Sequence, residues 1–294
     1  MKSFLKNIKL HYNIKDYRFS LVILVTILSI IGVFMVRSAR PDLTGRQMMG
    51  VVLGLAAMLI ISLIDYKWVL GLYWPLYGLN LIMLIAVPIF GTEANGAKRW
   101  LNLGFTRFQP SDLTKILMIL FFARFLMDRK EKINRPMTLL QAVALILPSL
   151  ILIYEQPNLS TTICIAALFC ALIFLGGLTY RYIVPVIAVI VPAVIILLAI
   201  AVQPNQPFLE DYQQKRILAW LDPEEYADDG AYQQLNSVMA IGSGQLSGKG
   251  YNNDETTSVK NGNFVSEPQT DFIFAIIGEE LGFVGCCVVI FLLL

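Results

Sequence analysis

The stretch SEPQTDFIFAIIGEELG, residues 266–282, places acids where a polar segment meets an apolar one. Asp271 stands at the boundary, and Glu279 and Glu280 follow inside a predicted apolar helix, about 12–13 Å deeper at 1.5 Å per residue. An N-cap role would explain Asp271, because a carboxylate suits a helix N-terminus. It would not explain Glu279 and Glu280, which therefore require a cation or a hydrogen-bonding neighbour inside the fold.

The composition indicates a membrane protein. Hydrophobic residues make up 56% of the 294 residues and the mean hydropathy is +0.65, whereas soluble domains contain about 45–50% apolar residues. The single histidine, His11, lies in the N-terminal tail, which excludes Ser-His-Asp triads and histidine-ligated zinc from the core. The four cysteines lie in apolar runs without metal-type spacing, which is typical of small buried side chains.

Apolar runs predict about eight transmembrane helices in an all-α polytopic membrane protein. With a cytoplasmic N-terminus, the inner segments carry more Lys and Arg than the short outer loops, as the positive-inside rule requires. The predicted spans are residues 19–36, 47–64, 70–90, 112–126, 138–153, 160–178, 182–202 and 272–294.

Four segments follow from these spans. They are a cytoplasmic basic tail (1–18), a seven-helix bundle (19–202), a large extracellular loop (203–270) and an eighth transmembrane helix (271–294), together one membrane domain. The tail mixes Lys with apolar residues, which favours a helix lying on anionic membrane lipids. Within the loop, apolar spacing over 212–221 and 231–241 predicts re-entrant or surface-lying helices, followed by a flexible glycine turn at 242–250.

Charges also occur at the start of the span RFQPSDLTKILMILFF (107–122). Pro110 suits the first turn of a helix, and Ser111 or Asp112 can cap it. Asp112 and Lys115 are three residues apart and can pair on one helix face. Two interpretations remain open: a capped helix with a local ion pair, or a polar face lining an outward cavity.

Two further polar clusters are candidates for function. Lys98, Arg99 and Trp100 predict either an interfacial anchor or a site for an anionic, sugar-bearing ligand. In YEQPNLSTT (154–162), the Asn, Ser and Thr side chains indicate helix capping.

Four stretches together resemble the SEDS family of RodA, FtsW and SpoVE, the membrane glycosyltransferases that polymerise peptidoglycan from lipid II. The resemblance runs in order through nearly all of the chain, and TDFIFAIIGEELG is its most specific element. The resemblance favours a RodA-like member of the family. It leaves open whether the protein serves cell elongation, division or sporulation. The stretches are GAKRWLNLGFTRFQPSDLTK (96–115), EQPNLSTT (155–162), KRILAWLDPEEYADDGAYQQLNSVMAIGSGQLSGKG (215–250) and EPQTDFIFAIIGEELGFVG (267–285).

The resemblance implies a role for each matching position. Asp271 corresponds to the family's essential acid and is the candidate general base. Glu155, Asn158, Glu279 and Glu280 are expected to form a structural polar core. The substrate-binding candidates are Lys98, Arg99, Trp100, Gln109, Ser111, Asp112, Lys115, Arg216, Gln269 and Thr270.

The sequence also departs from the family pattern. Asp112 replaces the usual Glu, which should preserve the pair with Lys115. Asn158 replaces an acid and Ser160 a glycine in the family's QPDLGT motif. The family has about ten spans, and its final pair with the Pro- and Gly-rich region is not in this chain, so a C-terminally truncated protein is expected.

The implied reaction joins two lipid II molecules at the outer face of the bacterial cytoplasmic membrane. Asp271 removes the proton of an acceptor hydroxyl, and Lys98, Arg99, Lys115, Arg216 or a divalent cation (Mg²⁺ or Mn²⁺) stabilises the leaving pyrophosphate. No organic cofactor and no nucleic acid are expected. The expected partners are lipid II, membrane lipids and a class B penicillin-binding protein.

Two other functions remain open. A flippase or transporter of the lipid-linked precursor would also bury acids and bases, but transporters often show internal repeats and the chain has no clear one. A non-catalytic scaffold of a cell-wall synthase complex is the second alternative.

Overall fold

The chain folds mainly into helices. The computed structural model describes residues 17–94, 97–102, 104, 107–203, 206, 211–228, 231–262 and 264–294, so most of the predicted basic tail lies outside the described residues. The helices are α1 (Phe19–Ala39), α2 (Thr44–Ser62), α3 (Tyr66–Gly71), α4 (Tyr73–Phe90), α5 (Pro110–Met127), α6 (Pro136–Tyr154), α7 (Leu159–Leu175), α8 (Tyr180–Ala201), α9 (Asp211–Leu221), α10 (Tyr232–Ser243) and α11 (Ile273–Leu293), with short 3₁₀ turns at Pro41–Leu43 and Lys130–Lys132.

Each of the eight predicted spans coincides with one of these helices, which confirms the all-α polytopic fold class. Among the described residues, six helical segments are long and apolar enough to cross a membrane. Helix α7 is apolar but shorter, and α5 carries Asp112, Lys115 and Arg124. The six segments are Phe19–Ala39, Pro41–Ser62, Tyr73–Phe90, Pro136–Tyr154, Tyr180–Ala201 and Ile273–Leu293.

The contacts divide the chain into two compact units, one of residues 64–192 and one of residues 1–63 with 193–294. These units do not test the predicted division into tail, bundle, loop and final helix, which stays a prediction.

The first unit, residues 64–192, is built around aromatic side chains of α5. Phe121, Phe122 and Phe125 are almost fully buried between α4, α6 and α7. Tyr77 stacks on Phe121 with ring centroids 4.6 Å apart. Aromatic pairs at this separation contribute about 0.5–1.5 kcal/mol beyond the area that they bury.

Polar contacts join the helices of this unit where proline interrupts one of them. Pro88 lies inside α4 and has no N–H, so the carbonyl of Leu84 lacks its usual helical donor. The buried Gln156 supplies one, because its Nε2 donates to Leu84 O at 3.2 Å. Such substitution of a backbone donor is what allows proline in an apolar helix.

A small antiparallel sheet follows α4 in the same unit, which the sequence analysis did not predict. It consists of β1 (Thr92–Ala94), β2 (Ala97–Asn102) and β3 (Arg107–Phe108), in the order β1-β2-β3. Thr92 pairs with Trp100, and Leu101 pairs with Phe108.

The second unit contains α1, α2, α9, α10 and α11, and α10 packs against α11. The predicted helices at 212–221 and 231–241 are confirmed by α9 and α10. Helix α11 is broken at Gly282, whose φ of 66° and ψ of −164° are not helical. Its first half is mostly buried, including Ala275, Ile276 and Ile277.

The segment 244–250 fills the break in α11. The amides of Lys249 and Gly250 donate to the carbonyls of Glu279 and Glu280 at 2.9 and 3.1 Å. In return, the amides of residues 283 and 284 donate to the carbonyls of residues 245 and 246. The flexible turn predicted here is therefore wrong: four backbone bonds hold the segment against α11, because a broken apolar helix needs partners for its freed groups.

Gly248 and Gly250 provide a matched pair that tests this close packing. Both have positive φ, 79° and 99°, but a Cβ on Gly248 would lie 2.1 Å from the Glu280 carbonyl oxygen, whereas one on Gly250 has nothing within 4 Å. Gly250→Ala is expected to cost about 1–2 kcal/mol of unfolding free energy from backbone strain alone. Gly248→Ala should cost about 3 kcal/mol because the backbone must also shift. Denaturant unfolding in detergent measures both, and equal losses would contradict the packing.

Candidate functional site

Asp271 lies exposed in the turn that precedes α11. The helix begins at Ile273 and its N-cap is Phe272, with no side-chain cap. The N-cap interpretation of Asp271 is therefore wrong. Among the described residues, its carboxylate has no ion pair and no hydrogen bond. A carboxylate that the fold leaves free can accept a proton from a ligand.

The residues before Asp271 form a tight turn. Glu267 has a positive φ of 53°, which is uncommon for a residue with a side chain. The amide and hydroxyl of Thr270 both donate to the Glu267 carbonyl, at 3.2 and 3.3 Å. Gln269 is buried and its Nε2 donates to the Glu267 carboxylate, while its Oε1 has no partner among the described residues. Gln269 therefore lies two residues before Asp271 in sequence with its side chain turned into the fold.

Glu279, only 2% exposed, is held by the connection between α10 and α11. Lys249 Nζ lies 2.9 Å from its Oε1. Ser258 Oγ and the amide of Val259 each donate to its Oε2 at 3.1 Å. The predicted need for a cation or a hydrogen-bonding neighbour is confirmed for this residue, and its partners among the described residues come from one connection.

Glu280 is 1% exposed and joins three segments. Lys260 Nζ lies 2.7 Å from Glu280 Oε1 and donates to Ser38 Oγ at 2.8 Å, and Ser38 in turn donates to the same carboxylate oxygen. Glu280 Oε2 has no partner among the described residues. The predicted need for a buried neighbour is confirmed here too. The identity of the two neighbours could not be predicted. Lys260 lies in a polar connection, and Ser38 is 242 residues away in sequence.

A cavity of about 360 Å³ lies beside the Glu279 carboxylate. Its lining comes from α10 and from the connection that follows, including Asn236, Met239, Lys249 and Phe264. Lys249 and Glu279 therefore form an ion pair in the wall of this cavity, and breaking the pair would place a charge on its surface.

The QPSD segment of the other unit begins α5. Gln109 is the N-cap without a side-chain cap bond, and its Nε2 donates to the buried Ser111 Oγ at 2.9 Å. Capping by Ser111 or Asp112 was predicted and is wrong, because the helix begins at Pro110, before both residues. Lys115 Nζ lies 2.9 Å from Asp112 Oδ1 and both side chains are exposed, so the predicted ion pair is confirmed.

The Lys98-Arg99-Trp100 segment lies on β2. Lys98 is exposed, and its side chain has no ion pair among the described residues. Arg99 donates from Nε to the Gln156 carbonyl at 3.1 Å and from Nη2 to the Pro157 carbonyl. Arg99 therefore ties the sheet to the turn between α6 and α7, a structural contact beside its predicted role in binding substrate.

The remaining candidates are spread over both units. Asn158 is the N-cap of α7 and accepts from the Thr161 amide at 3.3 Å, which confirms the capping interpretation of that segment. Glu155 is exposed at the C-cap of α6, so the prediction that it belongs to a structural polar core is wrong. Arg216 is exposed on α9. Sequence reasoning missed Gln156, Lys249, Lys260 and Ser38, because none of them interrupts an apolar run.

A divalent cation would find few protein ligands. Among the described residues, no group of three or more His, Cys, Asp or Glu side chains is arranged to hold a metal. Asp271 supplies a single carboxylate, so a cation bound there would take most of its ligands from substrate phosphates and water, as Mg²⁺ commonly does.

The fold and these clusters define a helical multi-pass membrane protein, and comparison with known proteins gives its family. The family model of FtsW, RodA and SpoVE, described as cell cycle protein, matches residues 17–294. The chain belongs to this family.

Curated relatives agree with this assignment. The chain is 36% identical over 245 residues to "Peptidoglycan glycosyltransferase MrdB" of Escherichia coli K12, covering 83% of this chain and 63% of the relative. It is 34% identical over 207 residues to "Probable peptidoglycan glycosyltransferase FtsW" of Escherichia coli O6:H1, covering 70% and 47%. The chain thus spans less than two thirds of the length of these relatives.

Solved structures share the fold. One, described as a peptidoglycan synthase complex that coordinates polymerization and crosslinking, matches with a TM-score of 0.73 and 28% identity, covering 94% of this chain and 75% of that chain. The rod shape determining protein RodA of Thermus thermophilus matches with a TM-score of 0.61 and 26% identity, covering 94% and 71%.

Proposed function

We propose that this protein is a peptidoglycan glycosyltransferase that polymerises lipid II, with Asp271 as general base. Family membership and the names of the relatives support the reaction class. The observation that carries the proposal is the exposed Asp271 carboxylate, free of protein partners among the described residues and positioned where an apolar helix begins.

The proposed step is a displacement at the anomeric carbon of the donor sugar. The acceptor's hydroxyl oxygen attacks that carbon, a new glycosidic bond forms, and the bond to undecaprenyl pyrophosphate breaks. The hydroxyl proton passes to Asp271, because a sugar hydroxyl is a weak nucleophile at neutral pH. A single carboxylate acting as base, without a protein nucleophile, gives inversion at the anomeric carbon.

Cations are required for the leaving pyrophosphate, whose negative charge grows as the bond breaks. Among the described residues, exposed Lys98 and Arg216 lack ion pairs, and Lys115 pairs with Asp112. These three side chains are the proposed phosphate contacts. Arg99 can contribute only the guanidinium N–H groups that do not already donate to the carbonyls of Gln156 and Pro157. A bound divalent cation would supply further charge neutralisation on the same phosphates.

The proposed location is the bacterial cytoplasmic membrane, with a cytoplasmic N-terminus. This orientation rests on the distribution of Lys and Arg, and it puts Asp271 at the outer surface. Lipid II would keep its polyprenyl tail among the membrane lipids while its sugars react. A class B penicillin-binding protein is the proposed protein partner, supported by the likeness to a peptidoglycan synthase complex.

Two assays on the purified protein separate the proposed function from its rivals. In detergent with lipid II and Mg²⁺ or Mn²⁺, glycan chains should appear on a gel. In liposomes, a flippase would instead move labelled lipid II between leaflets. Movement of lipid II without polymerisation would show that the protein is a transporter and not a polymerase. A scaffold would be favoured if a cooperatively unfolding preparation showed neither activity, even with the penicillin-binding protein added.

The Asp112–Lys115 pair gives a prediction that separates binding from stability. Both side chains are exposed, so the pair should contribute less than about 1 kcal/mol to folding. Asp112→Ala and Lys115→Ala are expected to leave the melting temperature almost unchanged and to lower polymerisation at least about tenfold, if one charge-assisted contact to substrate is lost. Asp42→Ala, which breaks the exposed Arg40 pair, is the matched control.

The charge-swapped variant Asp112→Lys/Lys115→Asp decides between the two interpretations. It restores an ion pair with reversed charges, so activity should stay low where the groups contact substrate. Recovery of polymerisation in the swapped variant would make the pair structural.

A further inference from the structure

A basic cavity of about 510 Å³ lies where α5 ends and α6 begins, within the unit of residues 64–192. We propose that it binds the phosphate headgroup of an anionic phospholipid. The side chains that the argument uses are Arg129, Lys132, Arg135, Met137, Thr138 and Gln141. The proposal is independent of glycosyl transfer.

The charge of the cavity is the first support. None of the cations Arg129, Lys132 and Arg135 makes an ion pair within the part of the chain that the structure describes. The one acid in the lining, Asp128, is already paired with Arg124, whose Nη2 lies 3.1 Å from Asp128 Oδ1. Three unpaired cations around one cavity attract a phosphate, whereas cations distributed over a surface would not converge on it.

The cavity is also partly preorganised. The guanidinium of Arg129 lies over the buried Phe125 ring, with Cζ 4.0 Å from the ring centroid, which restricts where this cation can point. The first turn of α6 forms another part of the lining, since Arg135 is its N-cap and Thr138 follows in that turn. That turn has no capping side chain and contains no acid, so the positive end of the helix dipole adds to the field of the cations.

The surface next to the cations selects a lipid over a soluble phosphate. Met137 borders the cavity and is 64% exposed, and Leu140, Leu147 and Ile151 continue along α6 at intervals of three, seven and four residues. Such spacing keeps these side chains on neighbouring parts of one helix face. A glycerophospholipid would use both features, with its phosphate among the cations and its acyl chain along this apolar stripe.

If the cavity cations served only to orient the protein in the membrane, other inner cations should contribute equally to lipid binding. Lys67 and Arg181 belong to the same set of inner cations by the predicted topology, but they do not line this cavity. Both are exposed. The double variant Lys67→Gln/Arg181→Gln therefore removes the same charge as Lys132→Gln/Arg135→Gln and serves as its matched control.

Native mass spectrometry of the purified protein in detergent tests the proposal. Dioleoyl phosphatidylglycerol and dioleoyl phosphatidylcholine are titrated separately, and glycerol 3-phosphate is added as the soluble headgroup. The protein should retain one phosphatidylglycerol in preference to phosphatidylcholine. Removing Lys132 and Arg135 should weaken that binding at least about tenfold, and the control pair less than about threefold.

Three outcomes would overturn the proposal. Equal weakening by the two double variants would mean attraction to the whole basic surface. Equal retention of the two lipids would show that charge does not select the occupant. Competition by glycerol 3-phosphate at the concentration of the lipid would make this a site for soluble phosphates. The last two comparisons use the unaltered protein, so they remain decisive if a variant folds poorly.

Discussion

Asp271→Asn is expected to abolish lipid II polymerisation by the purified protein, with a loss of at least about 10²–10⁴-fold, the usual contribution of a general base. The amide is close in shape to the carboxylate but cannot take the acceptor's proton. Since the Asp271 side chain is exposed and makes no hydrogen bond to the described residues, the melting temperature should not change. Gel analysis of glycan chains and thermal unfolding of the same preparation measure the two quantities.

Asp254→Asn is the matched control for this experiment. Asp254 belongs to the same connection before α11 and is also exposed, but it lies away from the start of the helix. Its replacement should leave polymerisation within about twofold, as expected for a surface substitution. Normal glycan chains from Asp271→Asn would remove this residue from the role of base. A matching fall in melting temperature would instead indicate a structural role.

Lys260→Met is expected to destabilise the fold by about 3–5 kcal/mol, because it leaves the buried Glu280 carboxylate without its cation. The Lys260 side chain is 4% exposed and that of Glu280 is fully buried. Ser38 alone cannot offset the cost of a buried charge. The free energy of unfolding in a denaturant titration is the measurement.

Two further variants show whether charge is the cause. Lys260→Met/Glu280→Gln removes both charges while nearly keeping the volume, so it should recover most of the lost stability. Lys249→Met should cost less than Lys260→Met, since Ser258 and the Val259 amide still bond to Glu279 and Lys249 is 22% exposed. If the double variant is as unstable as Lys260→Met, packing of the lysine stem accounts for the loss.

The helices were the most predictable part of the fold. Long apolar runs determine a spanning helix through composition alone, so α1, α8 and α11 coincide with their predicted spans to within a few residues. The sheet that contains Trp100 could not be predicted in this way. Its strands are only two to six residues long, too short to show an apolar period, so the pairing of Thr92 with Trp100 leaves no signal in the sequence.

The candidate site was only partly predictable for a related reason. A carboxylate inside an apolar run reveals that it needs a partner, and both Glu279 and Glu280 have one. The partner itself lies in a polar connection where a lysine is unremarkable, as with Lys260. The glycines around Gly248 were misinterpreted because close approach of two backbones leaves the same sequence signal as flexibility.

The break at Gly282 has a consequence for biogenesis. Its freed carbonyl and amide groups are bonded to the 244–250 segment, and hydrocarbon offers no substitute for those bonds. A segment released alone into the bilayer must therefore enter as one regular helix. We therefore expect the bend at Gly282 to form together with the docking of the preceding connection, which supplies the partners for the freed groups.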